Sequence, residues 1–191
     1  MTNALEKNDA QFPQITGNFV ANDAVYILGD FDGSISVNVV PKLVDIINRK
    51  KNERDASIQV YINSFGGEVP ALYSLLCLLQ TAKQYGIRII TIVFGRAVSC
   101  GSMLAVMGDE RKMYRHAMHL AHLGTQFGEV HTNEQIDRTS KKWKLHFKNI
   151  LDHYHACTGC PKKKLEQILK DDAGWLTPEE CLELGFATEI I

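Results

Sequence analysis

Three short apolar runs, each followed by a segment with helical spacing, limit what this chain can fold into. The first run, 24–28, precedes an amphipathic segment over 39–50, and the second, 57–63, precedes an apolar segment over 69–85. The third run, 87–94, is apolar almost throughout, as are strands that are covered on both faces of a parallel sheet. Strands that alternate with helices at this spacing predict right-handed crossovers, a mostly parallel sheet and therefore the α/β class.

The segments outside this pattern complete the predicted organisation. We expect a mobile arm or an edge extension over 1–22 and one domain over 23–191, a length that supports a single core. A long amphipathic helix is predicted over 132–155. Its apolar stripe, which includes Trp143 and Tyr154, packs either against another subunit or back onto the core of its own chain.

The net charge and the cysteine content indicate which binding partners and which cellular compartment to expect. The chain has 21 basic and 22 acidic residues, so its net charge of -1 supplies no basic field for nucleic acid. The five cysteines are odd in number, and Cys77 and Cys100 are predicted to be buried thiols in a reducing compartment. No apolar run approaches the roughly 18 residues of a spanning helix, and the amino terminus lacks a secretory signal. We therefore expect a cytoplasmic protein that binds neither nucleic acid nor membrane.

Ser99 is the candidate nucleophile. It lies between the third strand and a short helix, with the small residues Gly95 and Gly101 nearby, so that a substrate could approach it. A serine in this position is also a good helix N-cap, and this window alone leaves both roles open. The pair Gly66 and Gly67 follows the second strand, where its N–H groups either point at a substrate oxygen or form an ordinary turn.

Histidine side chains supply a candidate base, since serine is a poor nucleophile without one. His116, His119 and His122 follow the strand-like segment 111–114, and in a strand His119 and His122 lie on opposite faces, so only one of them can face Ser99. Their spacing also allows a metal site, and the histidines and cysteines of 153–160 are a second candidate for zinc or redox chemistry. A buried strand and a helix end explain these two segments more simply, so we expect no metal and no cofactor.

Three motifs, taken in order, resemble those of the Clp protease proteolytic subunit family. They are Asn63-Ser64-Phe65-Gly66-Gly67, Gly95-Arg96-Ala97-Val98-Ser99-Cys100-Gly101 and Met118-His119-Leu120-Ala121-His122, and the resemblance extends through Trp175-Leu176-Thr177-Pro178-Glu179-Glu180. It implies a ClpP/crotonase-like superhelix of βα units with a long projecting helix. It also implies a serine peptidase triad and a homo-oligomer of two stacked heptameric rings, a tetradecamer, in which 132–155 is the handle helix between the rings. The expected partners are an AAA+ unfoldase and unfolded polypeptide substrates.

The resemblance assigns the site residue by residue. Ser99 matches the nucleophile, His122 matches the base, and the backbone N–H groups of Gly67 and Cys100 match the oxyanion hole. The loop after His122 is expected to bind substrate by strand addition. The predicted substrate-binding residues are Gly66, Val69, Gly124, Thr125 and Gln126.

The triad acid is the least regular part of the resemblance. The family places it two positions before an aromatic residue, here Trp175, where this chain has Ala173. Gly174 could absorb a slip of one residue, so we predict Asp172 as the acid, with Asp171 as the alternative. The alternative is that these two aspartates have no catalytic role and form a solvated pair that caps the preceding helix.

The leading hypothesis is a serine endopeptidase, the proteolytic subunit of a Clp-type self-compartmentalised protease that cleaves unfolded proteins and peptides through an acyl-enzyme on Ser99. One alternative is a catalytically inactive Clp-like ring subunit, which the irregular acid segment motivates. The lesser alternative is a crotonase-type acyl-CoA enzyme. Such an enzyme shares the fold and the paired N–H donors but has no need of a serine beside a histidine.

Overall fold

The structure, a computed structural model, describes residues 17–124, 133–170 and 174–191. Within these residues the strands form one eight-stranded sheet. In chain order the strands are β1 (Asn18–Ala21), β2 (Ala24–Ile27), β3 (Ser57–Ser64), β4 (Arg88–Val98), β5 (Glu110–Met113), β6 (Met118–Leu120), β7 (Trp175–Leu176) and β8 (Glu189–Ile190).

The helices fall between the strands, as the alternating pattern predicts. A π-helical segment, Ile35–Val39, leads into the first α-helix. The α-helices are α1 (Val40–Lys50), α2 (Val69–Gln84), α3 (Cys100–Ala105), α4 (Asn133–Thr158), α5 (Lys162–Lys170) and α6 (Pro178–Glu183). None of the helices in the described part of the chain combines the length and the hydrophobicity needed to cross a bilayer.

The sheet is mostly parallel. Strands β2, β3, β4 and β5 pair in parallel in that order, β8 pairs in parallel with β5, and β1 pairs antiparallel with β2. The side chains of Ile58, Val60 and Ile62 along β3 are fully buried. Helices α1 and α2 pack together over this core, so the predicted mixed α/β class is confirmed.

Strand β4 is longer than the apolar run 87–94 that predicts it, and this extension positions the site. Its first half pairs with β5 over Ile90 to Val93, whereas its last residues, Arg96 to Val98, pair with β6. The pairing with β3 shifts register between Ile62 and Ser64, and a local irregularity of this kind bends a strand. The irregularity falls where β4 changes its partner from β5 to β6.

The ends of the chain add to both edges of the fold. Strand β1 lies within the predicted arm 1–22 and takes the form of an edge extension, while residues 1–16 lie outside the described residues. The long helix predicted over 132–155 is present as α4. In its carboxy-terminal half, Ile150, Leu151 and Tyr154 are buried against the core of the same chain, so this part of the apolar stripe needs no partner subunit.

The prediction that Cys77 is buried is wrong. Helix α2 buries one face, which includes Leu72, Leu75 and Leu79, and Cys77 lies on the exposed side. The error arose because apolar residues occur on most sides of α2, so the sequence does not show which side faces the sheet. Cys100 is buried as predicted.

Candidate active site

Ser99 occupies a strained turn between β4 and α3. Its φ is 56° and its ψ is -117°, a conformation that costs a residue with a side chain about 1–3 kcal/mol. Its N–H donates to the carbonyl of Leu120 at 3.0 Å, and its carbonyl accepts from the N–H of Met103 at 3.1 Å. Within the described residues its side chain makes no capping hydrogen bond to α3. Ser99 therefore occupies a strained strand-to-helix elbow and is not a side-chain N-cap within the described residues.

The loop that follows β3 lies directly against this turn. A Cβ atom on Gly66 would lie 2.6 Å from the Cβ of Ser99 and 2.9 Å from the carbonyl oxygen of Val98. The φ of Gly66 is +104°, which also favours glycine. The hydroxyl of Ser64 accepts the N–H of Gly66 at 3.0 Å and fixes the loop. Glycine is needed here because two backbone segments meet with no room for a side chain.

The backbone on either side of Gly67 and Cys100 indicates how their N–H groups are oriented. Phe31 donates to the carbonyl of Gly66 at 2.7 Å and accepts the N–H of Glu68 at 2.6 Å. Because successive N–H groups of an extended chain alternate in direction, that of Gly67 points away from Phe31. Cys100 is the first residue of α3, so its N–H has no acceptor within the helix.

The side chain of Cys100 links the two donors. Its thiol donates to the carbonyl of Gly67 at 3.2 Å, which holds the amino terminus of α3 beside the glycine loop. Burial raises the pKa of the Cys100 thiol to about 11, so the sulfur stays protonated at neutral pH. A protonated thiol is a weak nucleophile, so Cys100 is a poor candidate for that role.

His122 lies in the same cleft as Ser99. Strand β6 runs parallel to β4 with Val98 opposite Leu120, so His122 follows two residues beyond the end of this pairing. The cleft has a volume of about 540 Å³, and both side chains line it. No hydrogen bond between Ser99 and His122 is present among the described residues. In enzymes without bound substrate, such contacts are often long and shorten when substrate binds.

The other two histidines of the cluster lie elsewhere. His116 is exposed, and His119 is 1% exposed with its Nε2 atom 2.6 Å from the hydroxyl oxygen of Ser102. Burial lowers the pKa of His119 to about 3, so this ring is neutral at neutral pH. Of these three histidines, all of which the structure describes, only His122 lines the cleft that contains Ser99.

The second candidate metal segment, 153–160, forms the end of α4 and the turn after it. His153 Nε2 is 2.8 Å from the carbonyl oxygen of Met103, and His155 Nδ1 is 2.9 Å from that of Cys160. Thr158 donates its hydroxyl to the carbonyl of Tyr154 at 2.7 Å. These are contacts of a helix end. Across the described ranges, no three His, Cys, Asp or Glu side chains are arranged to hold a metal ion.

The remaining predicted site residues are only partly described. Gly66 is buried under the Ser99 turn, and Val69 and Gly124 line the cleft. Asp171, Asp172, Thr125 and Gln126 lie outside the described residues.

Helix α4 contributes cleft residues that the sequence analysis missed. Trp143, His146 and Ile150 line the cleft together with Val69 and Met103. Their spacing places them on one face of α4, and Trp143 and Ile150 belong to its apolar stripe. The apolar stripe is the sequence signal for these residues, but the pattern does not distinguish the wall of a cleft from a partner surface or from the core.

Comparison with known proteins identifies the relatives of this chain. A family model described as Clp protease matches residues 7–191. An ATP-dependent Clp protease proteolytic subunit of Deinococcus radiodurans is 27% identical over 169 residues, which cover 87% of this chain and 79% of the relative. A protein of the same name from Porphyromonas gingivalis is 28% identical, with coverage of 88% and 74%. An ATP-dependent Clp protease proteolytic subunit 2 of Thermobifida fusca is 27% identical, with coverage of 94% and 86%.

Proposed function

Because this chain belongs to the Clp protease family, we propose that it is a serine endopeptidase that cleaves unfolded polypeptides through an acyl-enzyme on Ser99. The observation that carries the proposal is the strained turn at Ser99, which makes no capping bond and lines one cleft with His122. Gly67 and Cys100 border the same cleft, and their backbone N–H groups would donate hydrogen bonds to a developing negative charge.

The proposed reaction follows from these positions. Ser99 Oγ attacks the carbonyl carbon of the scissile peptide bond while His122 takes the hydroxyl proton. The carbonyl oxygen becomes an oxyanion that accepts hydrogen bonds from Gly67 and Cys100. His122 then gives the proton to the departing amine, which leaves an acyl-enzyme. Water then attacks the ester carbonyl carbon while His122 takes a proton from the water. His122 returns this proton to Ser99 Oγ as the bond to Ser99 breaks and the acid product leaves.

A carboxylate is the remaining requirement of a triad, because it holds the histidine in the correct tautomer and stabilises the imidazolium. We assign this role to Asp172, with Asp171 as the alternative, on the family resemblance alone. Strand β7 supports the location, since Trp175 and Leu176 pair with β6, the strand that leads to His122. Trp175, the first residue of β7, therefore lies beside Leu120, at the end of β6 from which the chain continues to His122.

The walls of the cleft favour apolar substrate side chains. Val69, Met103, Trp143 and Ile150 present apolar atoms around the nucleophile, and an apolar side chain that enters leaves water at a gain of about 25 cal/mol per Å². Peptides with a large apolar residue on the acyl side of the scissile bond should therefore be the better substrates. Binding through backbone groups along the loop after Gly124 would tolerate varied sequences elsewhere.

We further propose that the chain assembles into stacked rings with α4 between the rings. Large apolar side chains that are exposed on the single chain, such as Val37 and Leu145, support a surface that another copy covers. A closed chamber would admit only unfolded or short polypeptides. Light scattering at physiological salt should therefore report a large oligomer, and a monomer at micromolar concentration would contradict the assembly. The five free cysteines support a cytoplasmic location.

An unfoldase partner is proposed because the relatives are subunits of ATP-dependent proteases. One face of the sheet carries an apolar hollow of about 490 Å³ that would receive an apolar segment of such a partner. We call this hollow the aromatic groove, and its residues are Phe19, Tyr26, Leu28, Tyr61, Phe94 and Tyr114. The rings of Tyr26 and Tyr61 stack at 4.9 Å between centroids, so the groove is built in advance of binding.

Turnover of a small fluorogenic peptide ester by the assembled protein tests the proposed activity. Ser99→Ala should abolish turnover, and His122→Ala should lower kcat by about 10³-fold or more, since a triad acts as a unit. His116→Ala is the matched control, because it removes an exposed histidine from the same segment and should leave the rate unchanged. Turnover that survives Ser99→Ala would contradict the peptidase. Saturable binding of acyl-CoA would instead favour the crotonase alternative.

A further inference from the structure

Three buried polar side chains lie beneath the candidate active site, and the mechanism above does not use them. The hydroxyl oxygen of Ser102 lies 2.6 Å from His119 Nε2 and 2.6 Å from the hydroxyl oxygen of Tyr154. The three residues are 0%, 1% and 0% exposed, respectively. Buried polar groups cost free energy unless they are paired, so each member of this cluster restricts the positions of the other two.

The three residues come from three elements, and each element carries part of the site. Ser102 is in the first turn of α3, three residues after Ser99. His119 is on β6 and precedes Leu120, whose carbonyl accepts the N–H of Ser99 at 3.0 Å. Tyr154 is on α4, the helix that forms one wall of the cleft. The cluster therefore joins the helix of the nucleophile, the strand that leads to the base and the wall that faces the substrate.

One arrangement of the protons in the cluster uses both hydroxyl groups as donors. Burial lowers the pKa of His119 to about 3 and raises the pKa of Tyr154, so the ring is neutral and the phenol keeps its proton. If Tyr154 donates to Ser102 and Ser102 donates to Nε2 of His119, both hydroxyl protons are used. Phe186 packs edge-on to the His119 ring at 5.1 Å and stacks on Tyr154 at 5.4 Å, which closes the apolar side of the cluster.

We propose that Ser102, His119 and Tyr154 act as positioning residues that hold Ser99 and His122 in the relative placement that acylation requires. This inference rests on the proposed function. The three side chains touch neither the scissile bond nor the reacting atoms, so their loss should act on kcat rather than on substrate binding. A misplacement of reacting groups by about 1 Å costs on the order of 10²-fold in rate, so a loosened cluster should have a visible effect.

A purely structural role for the same residues is the alternative, and a matched control separates the two. Thr91 is 1% exposed and donates its hydroxyl to the carbonyl of Ala105 at 2.6 Å, at the opposite end of α3 from Ser99. Thr91→Val removes a buried hydrogen bond of similar length from the same helix. Its loss of stability should resemble that of the cluster variants, while its kcat should stay that of the unmodified protein.

The experiment measures kcat and KM for the peptide ester, with assembly checked by light scattering and stability by urea unfolding. Ser102→Ala and His119→Leu should lower kcat by about tenfold or more with KM within about twofold. Tyr154→Phe removes only the phenolic oxygen and should have a smaller effect of the same kind. His119→Gln places an amide near the former Nε2 atom and should restore kcat to within about threefold of the unmodified protein.

Each outcome decides the proposal. If Ser102→Ala and His119→Leu lose no more kcat than Thr91→Val, the cluster is only structural and the proposal is overturned. If His119→Gln assembles but is as slow as His119→Leu, the hydrogen bond does not do the positioning and the proposal also fails. Where Ser102→Ala does not assemble, Tyr154→Phe and His119→Gln provide the test. If the unmodified protein has no turnover, the proposed function is refuted and the inference falls with it. If the unmodified protein is active and the cluster variants are fully active too, the inference alone is refuted.

Discussion

Gly66→Ala tests whether the loop after β3 is held against the nucleophile as the structure describes. The φ of +104° costs a residue with a Cβ atom about 1–3 kcal/mol. The new methyl group would also lie 2.6 Å from Ser99 Cβ and 2.9 Å from the Val98 carbonyl oxygen, and overpacking of this kind costs about 1–3 kcal/mol. Because backbone shifts relieve part of the clash, we expect a loss of about 3 kcal/mol in the free energy of unfolding.

Gly159→Ala is the matched control for this substitution. Gly159 also has a positive φ, +73°, but a Cβ atom there would meet no other heavy atom within 4 Å. This variant therefore isolates the cost of a positive φ, which is about 1 kcal/mol at the lower end of the range for a left-handed residue. The difference of about 2 kcal/mol between the two variants measures the close approach at Ser99.

Two measurements at equal protomer concentration follow the effect. Urea unfolding gives the free energies, and the rate of fluorophosphonate labelling, followed by intact mass, reports the placement of Ser99. We expect Gly66→Ala to slow labelling by about 10²-fold, because the loop must move away from the nucleophile, and Gly159→Ala to leave it unchanged. If the two variants match in both stability and labelling, the glycine loop does not lie against Ser99 and the described site is wrong.

Three further predictions concern the decrease in stability at low pH, the identity of the triad acid and the surface that binds the unfoldase. The pKa of His119 is about 3 in the folded protein and 6.5 in the unfolded chain, so between these pH values unfolding takes up a proton. The free energy of unfolding therefore falls as the pH is lowered from about 6.5, by up to about 1.4 kcal/mol per pH unit for this residue. Urea unfolding of His119→Gln between pH 7 and 5 should show a shallower decline, and identical slopes would contradict a neutral buried ring. Asp172→Asn should lower the acylation rate of Ser99 by orders of magnitude without change in oligomer size, and normal rates for Asp172→Asn and Asp171→Asn, alone and together, would exclude both aspartates as the acid. Phe94→Ser should weaken binding of an AAA+ unfoldase by about tenfold in a direct titration, and an unchanged affinity would exclude the aromatic groove as the docking surface.

The sequence predicted the long elements of the fold and missed the shortest strands, β7 and β8. Strands β3 and β4 and helices α1, α2 and α4 carry enough periodicity to be recognised from their residues. Strands β7 and β8 have two residues each, which is too short for a pattern, and they form because β6 and β5 offer them partners. The extension of β4 to Val98 also depends on a partner strand. Its last residues pair with β6, which is a contact between distant parts of the chain that no local pattern shows.

The candidate site was predictable only as far as single motifs allow. The sequence predicts that Ser99 lies between a strand and a helix. Whether Ser99 is a helix N-cap or a strained elbow depends on the sign of its φ angle, which the hydrogen bond to Leu120 helps to determine. The cluster of Ser102, His119 and Tyr154 left no local signal. Its hydrogen bonds span 17 and 52 residues of sequence, so only the folded chain brings the three side chains together.

The most direct test of Ser99 as the nucleophile is the mass of the intact, assembled protein after reaction with a fluorophosphonate probe, with the modified residue located by peptide mapping. We expect a single adduct per protomer on Ser99 that is absent from Ser99→Ala. An assembled protein that takes up no probe, or an adduct on another serine that persists in Ser99→Ala, would contradict a nucleophile at this position.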